Sequence, residues 1–291
     1  RLELATLCAE GEHYVGTRGG GMDQAVILFG EPHFACKIDF FPLRVEHVPL
    51  FDDYVFVAAH SLVKADKTGN ALHRYNMGPT LCRLLTVVLE RAAKREYGDE
   101  VCIERLGDLW YGPLCLTYGE AQDLFAKSIC QESFSLEEIA SLLELPKETI
   151  TRRWLGSLPV PSTGFRLRAR ARHVVGEFQR VESGRDLLQS NDPYGFGELM
   201  NASHESCAKD YEVSCPELDE LVSIARDAGA LGARMTGAGF GGYTVSLISK
   251  HDVDRFTSVL YERYYAKRGV PAGRVSEVLW VVEPSACADY M

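Results

Sequence analysis

No stretch of the 291 residues approaches the roughly 20 consecutive apolar residues that a membrane-crossing helix requires, which excludes that class. The chain also lacks CxxC pairs, an HExxH and any His/Cys cluster at metal-ligand spacing, so a zinc site is not expected. Without a GxxxxGK[ST] there is no P-loop. No repeat or low-complexity tract interrupts the sequence. Basic charge is in short supply, with 31 Lys and Arg against 41 Asp and Glu and a net charge of −10. That field repels a phosphate backbone, and no nucleic acid or membrane partner is expected. What remains is ordinary for a globular chain: 46% hydrophobic, 25% charged and 10% aromatic residues.

Nine cysteines, an odd number, are scattered along the chain, and several sit among apolar neighbours, as in Leu81-Cys82-Arg83-Leu84-Leu85. They read as free thiols in a reducing, cytoplasmic setting. At roughly 150 residues per domain, the length favours two domains sharing a cleft. The chain opens on Arg1 directly in helix-like sequence with no signal peptide before it, so a fragment lacking its N-terminal part is expected.

Apolar spacing predicts a β-containing beginning, a helical middle and a mixed end. After the opening helix and Gly19-Gly20-Gly21, Val26–Phe29, Phe34–Phe40 and Tyr54–Ala59 read as strands. Pro79 is expected to open a helix with Leu81, Leu84, Leu85 and Val88 on one face. Ser135-Leu136-Glu137-Glu138 and Ser214-Cys215-Pro216-Glu217 read as capping boxes, and Pro146 as the start of a short helix. Residues 158–164 are the best loop. A helix carrying Ala171, Val174, Val175 and Phe178 follows it, and the helix with Leu218, Leu221, Val222 and Ala225 leads into Gly237-Ala238-Gly239-Phe240-Gly241-Gly242. Strand Tyr243–Ile248, a helix with Val253, Phe256 and Leu260, and strand Val278–Val282 complete the pattern. Without strict βαβ alternation, this is an α+β architecture.

Gly237, Gly239 and Gly242 satisfy GxGxxG, but a dinucleotide fingerprint needs a strand entering and a helix leaving. Here the spacing reads helix in and strand out. Small residues around Phe240 let backbone N–H groups approach an anion, or serve only a tight packed turn. Asp23, delivered by three glycines, is either a general base or the cap of a helix or turn. Arg152, Arg153, Arg166, Arg168, Arg170 and Arg172 form the only basic concentration, spread over two helix faces, and read as solvated surface. His204-Glu205-Ser206-Cys207 reads as one helix turn.

Four segments together resemble the galactokinases of the GHMP kinase superfamily: Gly-Glu-His-Tyr-Val-Gly-Thr-Arg-Gly-Gly-Gly-Met-Asp-Gln at 11–24, Gly-Glu-Leu-Met-Asn-Ala-Ser-His at 197–204, Val-Ser-Cys-Pro-Glu-Leu-Asp at 213–219 and Gly-Ala-Arg-Met-Thr-Gly-Ala-Gly-Phe-Gly-Gly at 232–242. The Gly-Gly-Gly-Met-Asp-Gln spelling and the segment 136–155 look closer to the eukaryotic galactokinase and N-acetylgalactosamine kinase branch. The resemblance implies a GHMP kinase two-domain fold. Residues 1–60 would be the remnant of an N-terminal domain, like the second domain of ribosomal protein S5. Residues 61–291 would be the C-terminal domain, with a helical insertion at about 100–165.

It further implies an ATP-dependent sugar 1-kinase acting on galactose or a close relative, with ATP and Mg²⁺ required and sugar and ATP as its small-molecule partners. Asp23 matches the catalytic base, Gly20 a backbone contact to the sugar, and Tyr75 the sugar-packing tyrosine. Gly237, Ala238, Gly239, Gly241 and Gly242 match the motif beside the ATP phosphates, and Glu12 is the implied magnesium ligand. The family's upstream sugar-gripping motif, its γ-phosphate arginine and its serine-rich phosphate loop have no counterpart here, and Met77-Gly78-Pro79 replaces an expected arginine. The 291 residues alone are therefore expected to be inactive and to need an N-terminal piece or another copy. A catalytically inactive sugar sensor is the alternative.

Overall fold

The computed structural model describes residues 1–12, 21–40, 42–64 and 70–288, without the side chains of Glu12, Asn70, Ala71 and Leu72. Helix α1 (Leu2–Glu12) leads to α2 (Met22–Phe29), and β1 (Phe34–Asp39) then pairs antiparallel with β2 (Arg44–Pro49) as a hairpin. The expected strand at Val26–Phe29 is thus the second half of α2. A four-residue apolar run carries no period of its own, and here Ala25 is buried while Val26 and Ile27 face outward on the helix. Strand β2 went unpredicted because charged and polar residues break its apolar alternation.

Strand β3 (Tyr54–His60) is followed by α3 (Asn70–Tyr97), in which Pro79 lies inside the helix instead of opening it. Packing holds the turns ahead of the proline: Met77 joins the helical core, and Gly78 lies against the Tyr211 ring. Short helices α4 (Asp108–Tyr111), α5 (Tyr118–Ser128), α6 (Leu136–Leu143) and α7 (Lys147–Ile150) wrap around α3, and α8 (Leu167–Gln189) closes this region. The capping box at Ser135 and Glu138 forms as the spacing predicts. Leu84, Leu85 and Leu89 of α3 pack with Leu124 of α5, Ile139 of α6 and Val175 of α8.

The chain continues through α9 (Pro193–Ser206), a π-helical turn at Cys207–Tyr211, α10 (Pro216–Asp227), β4 (Gly232–Thr236), β5 (Tyr243–Ser249), α11 (Val253–Leu260) with a π-helical extension at Tyr261–Tyr265, and β6 (Leu279–Val282). At the start of α10 the expected capping box does not form. Cys215 is the N-cap, Pro216 occupies the first turn, and the Ser214 hydroxyl donates to Asp219 at 2.5 Å. Four strands make an antiparallel sheet in the order β4-β5-β3-β6. Val57 and Ala59 point from β3 to α10 and α11, where Phe256 and Leu221 are fully buried. The opposite face carries Phe56 and Leu247, which meet Leu188 of α8 and Met200 of α9. The α+β expectation stands.

Strand β4 is a sheet edge, and α9 covers it. Asn201 accepts the Ala233 N–H at 3.0 Å and donates to the Leu231 carbonyl at 3.2 Å, while His204 Nδ1 accepts the Met235 N–H at 3.2 Å. Side chains three residues apart on one helix thereby satisfy the outer backbone groups of the strand. Burial holds the His204 imidazole below its usual range, partly offset by the Asp219 carboxylate 3.3 Å away, and the neutral ring is the form that accepts from Met235. Replacing Asn201, 8% exposed, by Ala orphans one donor and one acceptor. The expected loss is about 2 to 4 kcal/mol of unfolding free energy in urea melts. A loss under about 0.5 kcal/mol, the range of surface substitutions, would contradict this account of the edge.

Candidate active site

Helix α2 starts at Gly21, whose backbone lies at φ 82°, and no side chain caps it. Asp23 therefore does not cap the helix. It sits in the first turn, where the positive end of the helix dipole favours a carboxylate. Asp23 is exposed and makes no hydrogen bond or ion pair with the other described residues. The far end of α2 is tied down by the Ala288 N–H, which donates to the Ile27 carbonyl at 2.7 Å, and by Arg1, which donates to the Leu28 carbonyl at 3.3 Å. Its near end borders a cleft of about 310 Å³ with Met22, Lys37 and Phe40 on one wall and Arg180, Met200 and Arg234 on the other. Arg234 lies on β4, three residues before Gly237, so the cleft joins the start of α2 to the strand that enters the glycine turn. Gly20 lies outside the described residues, as does the side chain of Glu12, whose backbone ends α1.

The glycine turn at 237–242 connects β4 to β5, so its entry is a strand and not the helix the spacing suggested. Strand β4 is short, and the signal that separates it from α10 is Gly229, just past the helix end at φ 103°, which the apolar spacing overlooks. Phe240 and all four glycines of the turn have positive φ. Two of the glycines are filled by protein: a Cβ on Gly239 would lie 2.2 Å from the Val213 carbonyl oxygen, and one on Gly241 would lie 2.5 Å from that of Val63. Among the described residues, nothing lies within 4 Å of a Cβ added at Gly237 or Gly242. The Phe240 N–H donates to Val213 at 2.7 Å, the Gly242 N–H to Val63 at 2.9 Å, and the Ser61 N–H to the Gly242 carbonyl at 2.7 Å. The turn is thus pinned from behind and unobstructed at both ends, a backbone cradle that suits phosphate oxygens.

Tyr75, on α3, is half-buried, and its neighbour Arg74 places its guanidinium 4.8 Å from the centre of the Phe240 ring. Helix α3 and the glycine turn therefore meet. Behind Tyr75 lies Tyr211, whose phenol is pushed up chiefly by burial, with Cys82 and Tyr75 adding to it. Asp23 is not in contact with either the turn or Tyr75 among the described residues; its neighbour Met22 lines the cleft that Arg234 reaches from β4. No three His, Cys, Asp or Glu among the described residues are placed to hold a metal ion. His204 to Cys207 end α9 and enter the π-helical turn.

Of the arginine series, Arg152, Arg153, Arg168 and Arg172 are exposed as the spacing suggested, whereas Arg166 is half-buried and Arg170 is buried. Arg170 is 4% exposed and pairs with Glu212 at 2.9 Å. Arg166 also pairs with Glu212, at 2.5 Å, and Arg172 is bound by Glu132 at 2.7 Å and Asp210 at 2.8 Å. The partners lie about 40 residues away in sequence, beyond the reach of any local pattern. Asn201 and His204 were also missed as edge-covering residues, although both stand in the 197–204 segment.

Residues 185–266 match the family described as GHMP kinases C terminal. The chain belongs to the GHMP kinase superfamily. Within it, the similarity is to galactokinases. The galactokinase of Dictyostelium discoideum is 34% identical over 91% of this chain and 56% of that protein, and that of Saccharomyces cerevisiae is 30% identical over 91% and 58%. A crystal structure of Lactococcus lactis galactokinase complexed with galactose superposes with a TM-score of 0.66 at 28% identity, covering 98% of this chain and 59% of that one. The chain spans a little over half the length of the curated relatives it matches.

Proposed function

We propose that the full-length protein transfers the γ-phosphate of ATP to the anomeric hydroxyl of galactose or a close relative. The observation that carries this reading is the glycine turn, pinned from behind and, among the described residues, open beside Gly237 and Gly242, on the strand whose Arg234 lines the cleft that Asp23's helix borders. Asp23 accepts the proton of the attacking hydroxyl, which is a poor nucleophile until that proton has a destination. The backbone of the turn donates to phosphate oxygens, and Tyr75 packs against the sugar, with Gly20 as a backbone contact. Phosphoryl transfer asks mainly for positioning and charge stabilisation, and magnesium, with Glu12 as its candidate ligand, would neutralise phosphate charge when bound.

In this reading residues 1–60 are the remnant of the N-terminal GHMP domain, and 61–291 are the C-terminal domain with a helical insertion at about 100–165. The names of the relatives support a galactokinase-like enzyme, and no described feature favours the sugar-sensing alternative. Leu4 and Leu7 on α1 and Ile27 on α2 are exposed, which fits a surface that an N-terminal piece or another copy covers.

A coupled ADP-release assay of the full-length protein across galactose, N-acetylgalactosamine, arabinose and galacturonate tests the reaction. Phosphorylation of at least one is expected, and none turning over would overturn the reading. In the same assay the 291 residues alone are expected to give no turnover, since the family's serine-rich phosphate loop and γ-phosphate arginine are not in this sequence. A rate in the usual kinase range of about 1 to 100 per second would show that the site parts are misassigned.

A further inference from the structure

Between α9 and α10 the chain turns tightly over residues 207–213, and the reaction outlined above gives this segment no role. We propose that Arg170 is a positioning residue for phosphate transfer, acting through this turn to hold the glycine turn on one side and the Tyr75 region of α3 on the other. The kinetic part of this inference rests on the proposed phosphate role of the glycine turn. The geometric part does not.

Each link is a direct contact. The Arg170 guanidinium pairs with the Glu212 carboxylate at 2.9 Å, donates to the Asp210 carbonyl and lies 5.3 Å from the centre of the Tyr211 ring. Glu212 has φ 64°, a left-handed conformation that costs a non-glycine residue energy and persists where neighbours hold it. The next residue, Val213, donates its N–H to the Cys207 carbonyl at 3.0 Å and accepts the Phe240 N–H at 2.7 Å. Arg170's ion-pair partner is therefore adjacent in sequence to the anchor of the glycine turn. On the other side Tyr211 stacks on His173, with ring centres 4.6 Å apart, and lies against Gly78, three residues along α3 from Tyr75. His173 Nδ1 is 3.0 Å from the Ser206 hydroxyl, which fixes the ring under Tyr211.

Stability alone does not account for an arginine here. A buried guanidinium is costly to desolvate, and a packed apolar side chain often does as well or better. The Arg170 Nε is buried with no partner among the described residues, so part of that cost is not recovered. What the guanidinium supplies is direction: its fork fixes Asp210 and Glu212 at once, while Arg166 and Arg172 brace the same two residues from either side. An apolar residue of equal volume would fill the space and leave the turn free to shift.

Hydrogen exchange on the full-length protein tests this, with Arg170→Met, Arg170→Lys and Glu212→Gln compared with the unaltered chain. In Arg170→Met and Glu212→Gln the Phe240 amide is expected to exchange at least about tenfold faster. The Gly242 amide, held by Val63, and the amides of β5 should keep their protection, and Arg170→Lys should recover part of the loss. In the coupled assay the KM for ATP should rise about tenfold, with kcat falling less. A lower melting temperature with Phe240 protection unchanged would overturn the proposal and leave Arg170 a purely structural residue. Should Arg170→Met fail to fold, Glu212→Gln decides, because its side chain is 42% exposed and loses only charge. If the unaltered protein phosphorylates no sugar, the kinase reading fails while the exchange result still decides the positioning role.

Discussion

Asp23→Asn in the full-length protein is expected to lower kcat at least about 100-fold while leaving the melting temperature within a degree or two. A positioned base contributes roughly 10² to 10⁴ in rate, and the amide has the shape of the carboxylate but cannot take a proton. A factor of 100 corresponds to about 2.7 kcal/mol of transition-state stabilisation. Folding should be indifferent, since Asp23 is exposed, caps nothing and has no hydrogen bond or ion pair among the described residues. The one folded-state interaction it loses is with the dipole of an eight-residue helix, worth about 0.3 to 1 kcal/mol at the surface. The KM for sugar should change little if the carboxylate acts on the proton and not on binding. Near-normal kcat would sink the assignment of the base. A large fall in melting temperature together with lost activity would instead mark Asp23 as part of the scaffold.

How far the sequence reached depends on the range of each interaction. The Ser135–Glu138 capping box is contained within four residues, and it forms as read. The apolar stripes of α3, α8 and α10 keep their period over about two turns, and they face the core as expected. Short segments misled. The 26–29 run had no period to separate helix from strand, and β4 hid between α10 and the glycine turn. Pro79 signalled a helix start, but contacts from Tyr211, more than 130 residues further on, carry α3 past it. The burial of Arg170 and the pairing of Arg166 and Arg172 escaped the sequence because Glu132, Asp210 and Glu212 approach them only in the fold. For the site, Asp23 and the glycine turn were visible as patterns whose chemistry stayed open until the resemblance to galactokinases supplied roles. That Gly239 and Gly241 are filled while Gly237 and Gly242 are open could not be read from four identical letters.

That division of the four glycines leads to the other large effect, a contrast between Gly239→Ala and Gly237→Ala. At Gly239, φ is 83° and the added methyl would lie 2.2 Å from a backbone carbonyl oxygen and 2.7 Å from the Val213 Cβ. Neither neighbour can yield cheaply. The carbonyl accepts the Phe240 N–H, and Val213 is bonded in turn to Cys207. Left-handed strain alone costs of order 1 to 3 kcal/mol. With the clash and the loss of the Phe240 bond added, the expected destabilisation is about 3 to 5 kcal/mol, a large share of the 5 to 15 kcal/mol that typically holds a domain folded. At Gly237 the backbone is similar, φ 79°, but no described residue lies within 4 Å of the added methyl, so only the strain of about 1 to 2 kcal/mol remains. The kinetic expectation runs the other way. Gly237→Ala should stay folded and raise the KM for ATP, because its methyl occupies ground proposed for phosphate. Gly239→Ala should lose soluble, cooperatively melting protein before any kinetic defect can be measured. Urea melts and ATP titrations of the two variants decide it. Equal stability losses with no change in ATP affinity for Gly237→Ala would mean that the open side of the turn faces nothing that binds.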